Sequence, residues 1–132
     1  MAVTLNHTIV WSKDSAKSAA FLAEMLGMPA PTRHSHFHVV TTANDVSIDF
    51  AERDGEIAPQ HYAFLVSEPE FDAVLGRIEA RGLDYWADPG QTRKGEINPR
   101  DGGRGLYFED PSGHLMEALT RPYGSGAASV ND

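Results

Sequence analysis

The sequence predicts an α+β fold in which one pattern is used twice: strand, helix, strand, strand, with room for a further strand. Three observations carry this. A strand-like run opens on His7 (LNHTIVW) and again on His61 (QHYAFLV). Each run leads into an amphipathic segment that stops at a glycine, Gly27 lying 20 residues after His7 and Gly82 lying 21 after His61. The second copy closes on GLYFEDPSGHLMEAL, a strand, a turn and a strand that carries Glu117.

Each element has its own local reason. Residues 3–11 alternate as a strand. A helix over 14–26 follows, with Ser12 or Asp14 as N-cap, an apolar face of Ala19, Leu22 and Leu26 with Phe21 and Met25, and Gly27 as its left-handed stop. Pro29 and Pro31 prevent continuation. Residues 34–42 and 45–51 read as two strands about a tight Ala43–Asn44 turn, and the polar stretch 52–60 as a linker. The pattern then restarts with a strand at 61–67. Ser67 and Glu70 form a capping box with Pro69 in the first turn. Phe71, Val74, Leu75 and Ile78 follow at helical spacing, which predicts a helix over 69–81. A short strand at 83–87, a Gly- and Pro-rich loop at 88–103 and two strands at 105–109 and 114–120 complete the copy. One domain over 1–121 is expected, with module one at 1–55, module two at 58–121, and a disordered tail over 122–132.

Composition narrows the function. A chain of 132 residues, 41% hydrophobic, 23% charged and of net charge −8, is a soluble globular domain large enough to bury a core. The acidic balance and scattered Lys and Arg argue against nucleic acid as a partner. No apolar run is long enough for a membrane span, and the start MAVTLNH lacks the apolar core of a secretion signal. With no Cys there is neither disulfide nor thiolate chemistry, and the cytoplasm is the expected location.

Strand alternation places His7 with Leu5 and Ile9, His61 with Ala63 and Leu65, and Glu117 with Leu115 and Leu119. Polar groups among apolar neighbours are unfavourable unless partnered, and one bound cation would partner all three. Two histidines and one carboxylate form the ligand set of a divalent-metal site with open positions. Asp49, near the end of the first module's last strand, is the fourth candidate ligand, directly or through water. His34, His36 and His38 would share one strand face, where His36 and His38 could move protons. Tyr107 could donate a phenolic proton to a substrate oxygen, while Trp11, Tyr62 and Trp86 read as core. Arg100 and Arg104 could hold an anionic substrate group.

On LNHTIVWSKDSAKSAAFLAEMLGM, QHYAFLVSEPEFDAVLGRIEARG and above all LYFEDPSGHLMEAL, the chain resembles the vicinal oxygen chelate superfamily over about residues 3–121. That superfamily includes glyoxalase I, extradiol dioxygenases, fosfomycin-resistance enzymes and bleomycin-binding proteins. The resemblance implies paired βαβββ modules forming an open, incomplete β-barrel around a metal cleft. It implies one divalent ion (Zn, Mn, Ni, Fe or Co) on His7, His61 and Glu117, with Asp49 in the place of a fourth ligand. It also implies a small-molecule substrate and a homodimer, sometimes with one site built from two chains. Leu106 through Glu117 fits the extradiol pattern L-Y-x-x-D-P-x-G-x-x-x-E, although Asn98, Pro99 and Arg100 stand where those enzymes place a histidine.

Three functions follow. The first is a metal-dependent lyase, isomerase or transferase that chelates two adjacent substrate oxygens, with Glu117, Tyr107, His36 and His38 as catalytic groups. The second is a non-haem Fe(II) extradiol dioxygenase. The third is a non-catalytic small-molecule or drug-binding resistance protein.

Overall fold

The structure, a computed structural model, describes residues 2–126. The chain divides into two compact units, Met1–Ala58 and Pro59–Asp132.

The amino-terminal module runs β1 (His7–Ser12), α1 (Ser15–Leu26), β2 (Thr32–His34), β3 (Phe37–Thr41) and β4 (Ser47–Glu52). Its open sheet has the order β1-β4-β3-β2, with β1 and β4 parallel. Asp14 caps α1 by accepting from the Lys17 N–H. Gly27, at φ 68°, ends it, and the Met28 N–H reaches back 2.8 Å to the Ala23 carbonyl. The helix lays Ala19, Leu22 and Met25 on β3 and β4, where Val40, Ile48 and Phe50 complete a closed core with Val10 of β1.

The carboxyl-terminal module runs β5 (His61–Leu65), α2 (Glu68–Ala80), β6 (Gly105–Glu109) and β7 (Leu115–Leu119). Its sheet has the order β5-β7-β6, and again the first strand lies parallel to the last. The capping box is formed: Glu70 N–H donates to the Ser67 hydroxyl, and Ser67 N–H to the Glu70 carboxylate. α2 ends as α1 does, on a positive-φ glycine (Gly82, 65°), with Leu83 N–H donating to Ile78 O. Phe71, Val74 and Ile78 are fully buried, as are Leu106, Phe108, Met116 and Ala118 of the sheet.

The expected strand at 83–87 is reduced to Trp86, which bridges Tyr107 on one side and Lys94 on the other. The strand expected over 34–42 is broken at Ser35, whose φ of 57° turns the chain between β2 and β3. The tail also departs from expectation. Residues 122–126 form a turn held by Asp101, which accepts from the N–H groups of Gly124 and Gly126. The rest of the tail, 127–132, lies outside the described residues. No helix among the described residues is long and apolar enough to cross a membrane.

Candidate metal centre

In both modules α covers one sheet face, and the other face carries the candidate ligands. In β1 and β4 the register pairs His7 with Ser47, Ile9 with Asp49 and Trp11 with Ala51. His7 and Asp49 therefore share the face opposite α1. That face is open: Leu5, Ile9 and Trp11 are all more than two-fifths exposed. Trp11 is thus not core; the Arg53 guanidinium lies 5.6 Å from its ring centre. His7 Nδ1 is 2.7 Å from the Asn6 side-chain oxygen, an acceptor that favours the hydrogen on Nδ1 and leaves the Nε2 lone pair available. Asp49 accepts from the Ser47 hydroxyl.

The three histidines of HSHFH do not share a face. His34 is exposed on β2. His36 sits in the turn, stacked 4.1 Å from Phe37. His38 pairs with Phe50 and so faces α1, where its Nδ1 lies 2.8 Å from the Ser15 hydroxyl. Ser15 also donates to Glu52. Neither His36 nor His38 lies on the sheet face that carries His7 and Asp49.

In β5, β6 and β7 the register pairs Ala63 with Glu117 and Tyr107 with Glu117. His61, on the same face, places Nε2 3.0 Å from Glu117 Oε1. His61 is partly open to solvent, its side chain 42% exposed, whereas Glu117 is only 1% exposed. Sequence alternation alone thus brings together two of the predicted ligands.

Glu117 has a third neighbour that alternation did not reveal. The Tyr123 hydroxyl lies 2.9 Å from Oε2 and 3.2 Å from Oε1. It also meets the Tyr107 hydroxyl at 3.0 Å, and Arg100 Nη1 donates to both phenols at 2.8 and 3.0 Å. Burial first, then the Tyr107 hydroxyl and the Glu117 charge, hold the Tyr123 phenol well above its ordinary pKa. It is therefore a hydrogen-bond donor at neutral pH. Burial acts to lower Arg100, but its bond to Tyr107 and the nearby phenols and Glu117 outweigh that and raise it.

The other arginine expected near substrate is engaged elsewhere. Arg104 pairs with Glu68 and Asp72 of α2, each at 2.8 Å, and lies 4.5 Å from the Phe71 ring centre. Asn98, in the region 98–100 compared above with the extradiol pattern, has a structural task. Its amide donates to Ala87 O and its oxygen accepts from Arg100 N–H.

Within neither module do the described residues gather three or more His, Asp or Glu side chains as metal donors. The donor chemistry nevertheless fits a divalent cation. Among the described residues the hydrogen-bond partners of the buried Glu117 carboxylate are an imidazole and a phenol, with no Lys or Arg in an ion pair. The Arg100 charge is felt at Glu117 but reaches it only by way of the two phenols, and a buried carboxylate without a direct ion pair is a costly arrangement that a metal ion relieves.

Residues 4–118 match the model of the Glyoxalase/Bleomycin resistance protein/Dioxygenase superfamily. Two solved structures are similar over nearly their whole length. Oxidase ChaP-H1 is 59% identical, covering 93% of this chain and 99% of its own, with a TM-score of 0.91. Oxidase ChaP-H2 is 57% identical, covering 96% and 100%, with a TM-score of 0.93. Glutathione transferase FosA of Serratia marcescens is 32% identical over 89% of this chain and 80% of its own. With the repeat, the parallel pairing of first and last strands and the His61–Glu117 pair, these likenesses make the chain a member of the glyoxalase/bleomycin resistance protein/dioxygenase superfamily, the vicinal oxygen chelate group its motifs resemble.

Proposed function

We propose that this protein is a metal-dependent oxidase of a small molecule bearing two adjacent oxygens, with dioxygen as electron acceptor. The observation that carries the reading is the pairing of His61 Nε2 with the buried Glu117 carboxylate, 3.0 Å apart on one sheet face. His7, His61 and Glu117 would hold the metal, with Asp49 a further carboxylate on the His7 face. Two imidazoles and one carboxylate with open positions are the ligand set of non-haem Fe(II) oxygen chemistry, so iron is the favoured ion. The likeness to two oxidases at more than half identity supports oxidation over the lyase and isomerase chemistry first expected.

A bound metal supplies Lewis acidity to the two substrate oxygens. The chain's own groups do the rest. His61 must release the Nε2 hydrogen it shares with Glu117 before that nitrogen can ligate. Tyr107 and Tyr123 present phenolic hydrogens beside Glu117, and Arg100 orders both hydroxyls. On the His61 face the exposed Leu65 offers apolar surface to an organic substrate.

Thiol transfer is the second reading, favoured by the FosA likeness. The two separate experimentally. Protein is loaded with Fe(II) without oxygen, then exposed to dioxygen with a panel of ortho-dihydroxy and hydroxyquinone aromatics. Separately, Mn(II)-loaded protein is given glutathione and fosfomycin. Oxygen uptake that vanishes in His7→Ala, His61→Ala and Glu117→Ala supports the oxidase. A glutathione adduct without oxygen uptake assigns the transferase instead. Failure of the wild type to take up any divalent metal overturns both.

A further inference from the structure

Tyr123 does not belong to a strand or a helix. It lies six residues beyond Glu117, on chain that has already left β7, yet its hydroxyl returns to both oxygens of that carboxylate. Hydrophobic burial does not bring it there, since the residue is 58% exposed. A set of polar contacts does. Ser125 N–H donates to Pro122 O, closing a turn in which Gly124 has φ 77°. Asp101, 3% exposed and itself left-handed at φ 56°, accepts Gly124 N–H on Oδ2 at 3.1 Å and Gly126 N–H on Oδ1 at 3.2 Å. Arg121 donates to Ser125 O, and Arg100 donates to the Tyr123 hydroxyl. At Gly126 the approach is so close that a Cβ would fall 2.2 Å from Asp101 O. A buried carboxylate, three backbone N–H groups and two arginines are thus used to place one hydroxyl.

The placement is asymmetric. Oε2 of Glu117 takes the shorter contact from Tyr123, at 2.9 Å, whereas Oε1 meets His61 at 3.0 Å and Tyr123 only at 3.2 Å. Oε1 therefore points toward a candidate ligand, and Oε2 toward a hydrogen-bond donor. A carboxylate with both oxygens available can bind a cation through one or both. A short hydrogen bond to one oxygen competes with a cation for that oxygen's lone pairs and favours binding through the other.

We propose that Pro122–Gly126 is a latch that commits Oε2 of Glu117 to Tyr123, so that the carboxylate meets its metal through Oε1 alone. Tyr123 is then a positioning residue. Keeping Glu117 monodentate preserves an open coordination position, which a substrate binding through two oxygens requires. The proposal rests on the metal-site reading above.

The test is the visible spectrum of the Co(II)-loaded protein. Its absorbance per bound cobalt falls as the number of ligands rises. Four proteins are compared: wild type, Tyr123→Phe, Gly126→Ala and Glu117→Ala. Tyr123→Phe keeps the exposed ring and removes only the hydroxyl. Gly126→Ala unseats the latch without altering any side chain near Glu117. The expected result is cobalt uptake by wild type and both latch variants, with a severalfold lower absorbance per cobalt in the two latch variants alike. Uptake by wild type and not by Glu117→Ala, with wild-type and latch-variant spectra superimposable, overturns the latch and leaves the metal site standing. No cobalt uptake by wild type overturns the site, and the latch with it.

Discussion

His38 stands directly opposite Phe50 across β3 and β4, and this pairing turns its imidazole toward the amino-terminal end of α1. There it meets the Ser15 hydroxyl, which in turn donates to Glu52, and Glu52 also accepts the Ser15 N–H. The group ties a helix start to the sheet. Replacing His38 by Ala should lower stability by about 1 kcal/mol, the net worth of one such hydrogen bond, and leave metal content unchanged. Urea melts and elemental analysis check this. Loss of metal at unchanged stability would return His38 to the site.

Ala63 is the cross-strand neighbour of Glu117 on β5, a small residue on the face where the carboxylate needs room. It is exposed, so a larger side chain meets little resistance from the core. Ala63→Leu should therefore fold with a melting point close to wild type and take up markedly less metal, because the added isobutyl group stands over Glu117. Equal uptake by isothermal titration would show that the approach to Glu117 does not pass over Ala63.

Ser67 and Glu70 cap α2 reciprocally. Ser67→Ala removes the acceptor for the Glu70 N–H and should cost about 1 kcal/mol, roughly 3–5 °C in melting temperature for a chain of this size. Because α2 lies on the sheet face opposite Glu117, metal affinity measured on the folded variant should not change.

Asp110 gives a pH signature. Its Oδ1 accepts from the N–H groups of Ser112 and His114, while Oδ2 is buried with no hydrogen-bond partner among the described residues. Burial raises the carboxyl above its ordinary pKa, more than the turn's N–H groups and the His114 charge lower it. A raised acid binds its proton more tightly when folded. Its contribution to stability is therefore full below the unfolded pKa and is lost as pH rises through the folded one. Relative to Asp110→Asn, the wild type should lose stability as pH rises from the ordinary Asp value through the raised one, and run parallel above it. Denaturant midpoints taken across the acid range test this, and parallel curves throughout would refute it.

Much of the fold was legible because it is written locally. Gly27, the Ser67–Glu70 box and the period of Phe71, Val74 and Ile78 act within a few residues of themselves. His61 and Glu117 were also readable as a pair, since strand alternation and the repeat put both on one sheet face. Alternation failed where a turn interrupts it: HSHFH reads as one strand, but Ser35 adopts a left-handed conformation and His36 leaves the sheet. It failed again at 83–87, where a single bridge at Trp86 stands in for a strand. Tyr123 was hidden for a different reason. Its surroundings in sequence, PYGSG, have the composition of a flexible tail, and what orders them is Asp101, distant in sequence and near only in space. Arg100 and Arg104 likewise found partners that only tertiary structure supplies.

The strand order has a consequence for synthesis. In each sheet the last strand to be made is an inner one: β4 lies between β1 and β3, and β7 between β5 and β6. On the ribosome the amino-terminal sheet can close once Glu52 has emerged. The second sheet has nothing to join β5 and β6 until Leu115–Leu119 is translated. Long-range pairing of this kind is slow and leaves strand edges bare in the meantime. A chain released before Leu115 therefore carries a finished first sheet beside a β5 and β6 with nothing to join them, and lacks Glu117, which leaves His61 without its carboxylate neighbour.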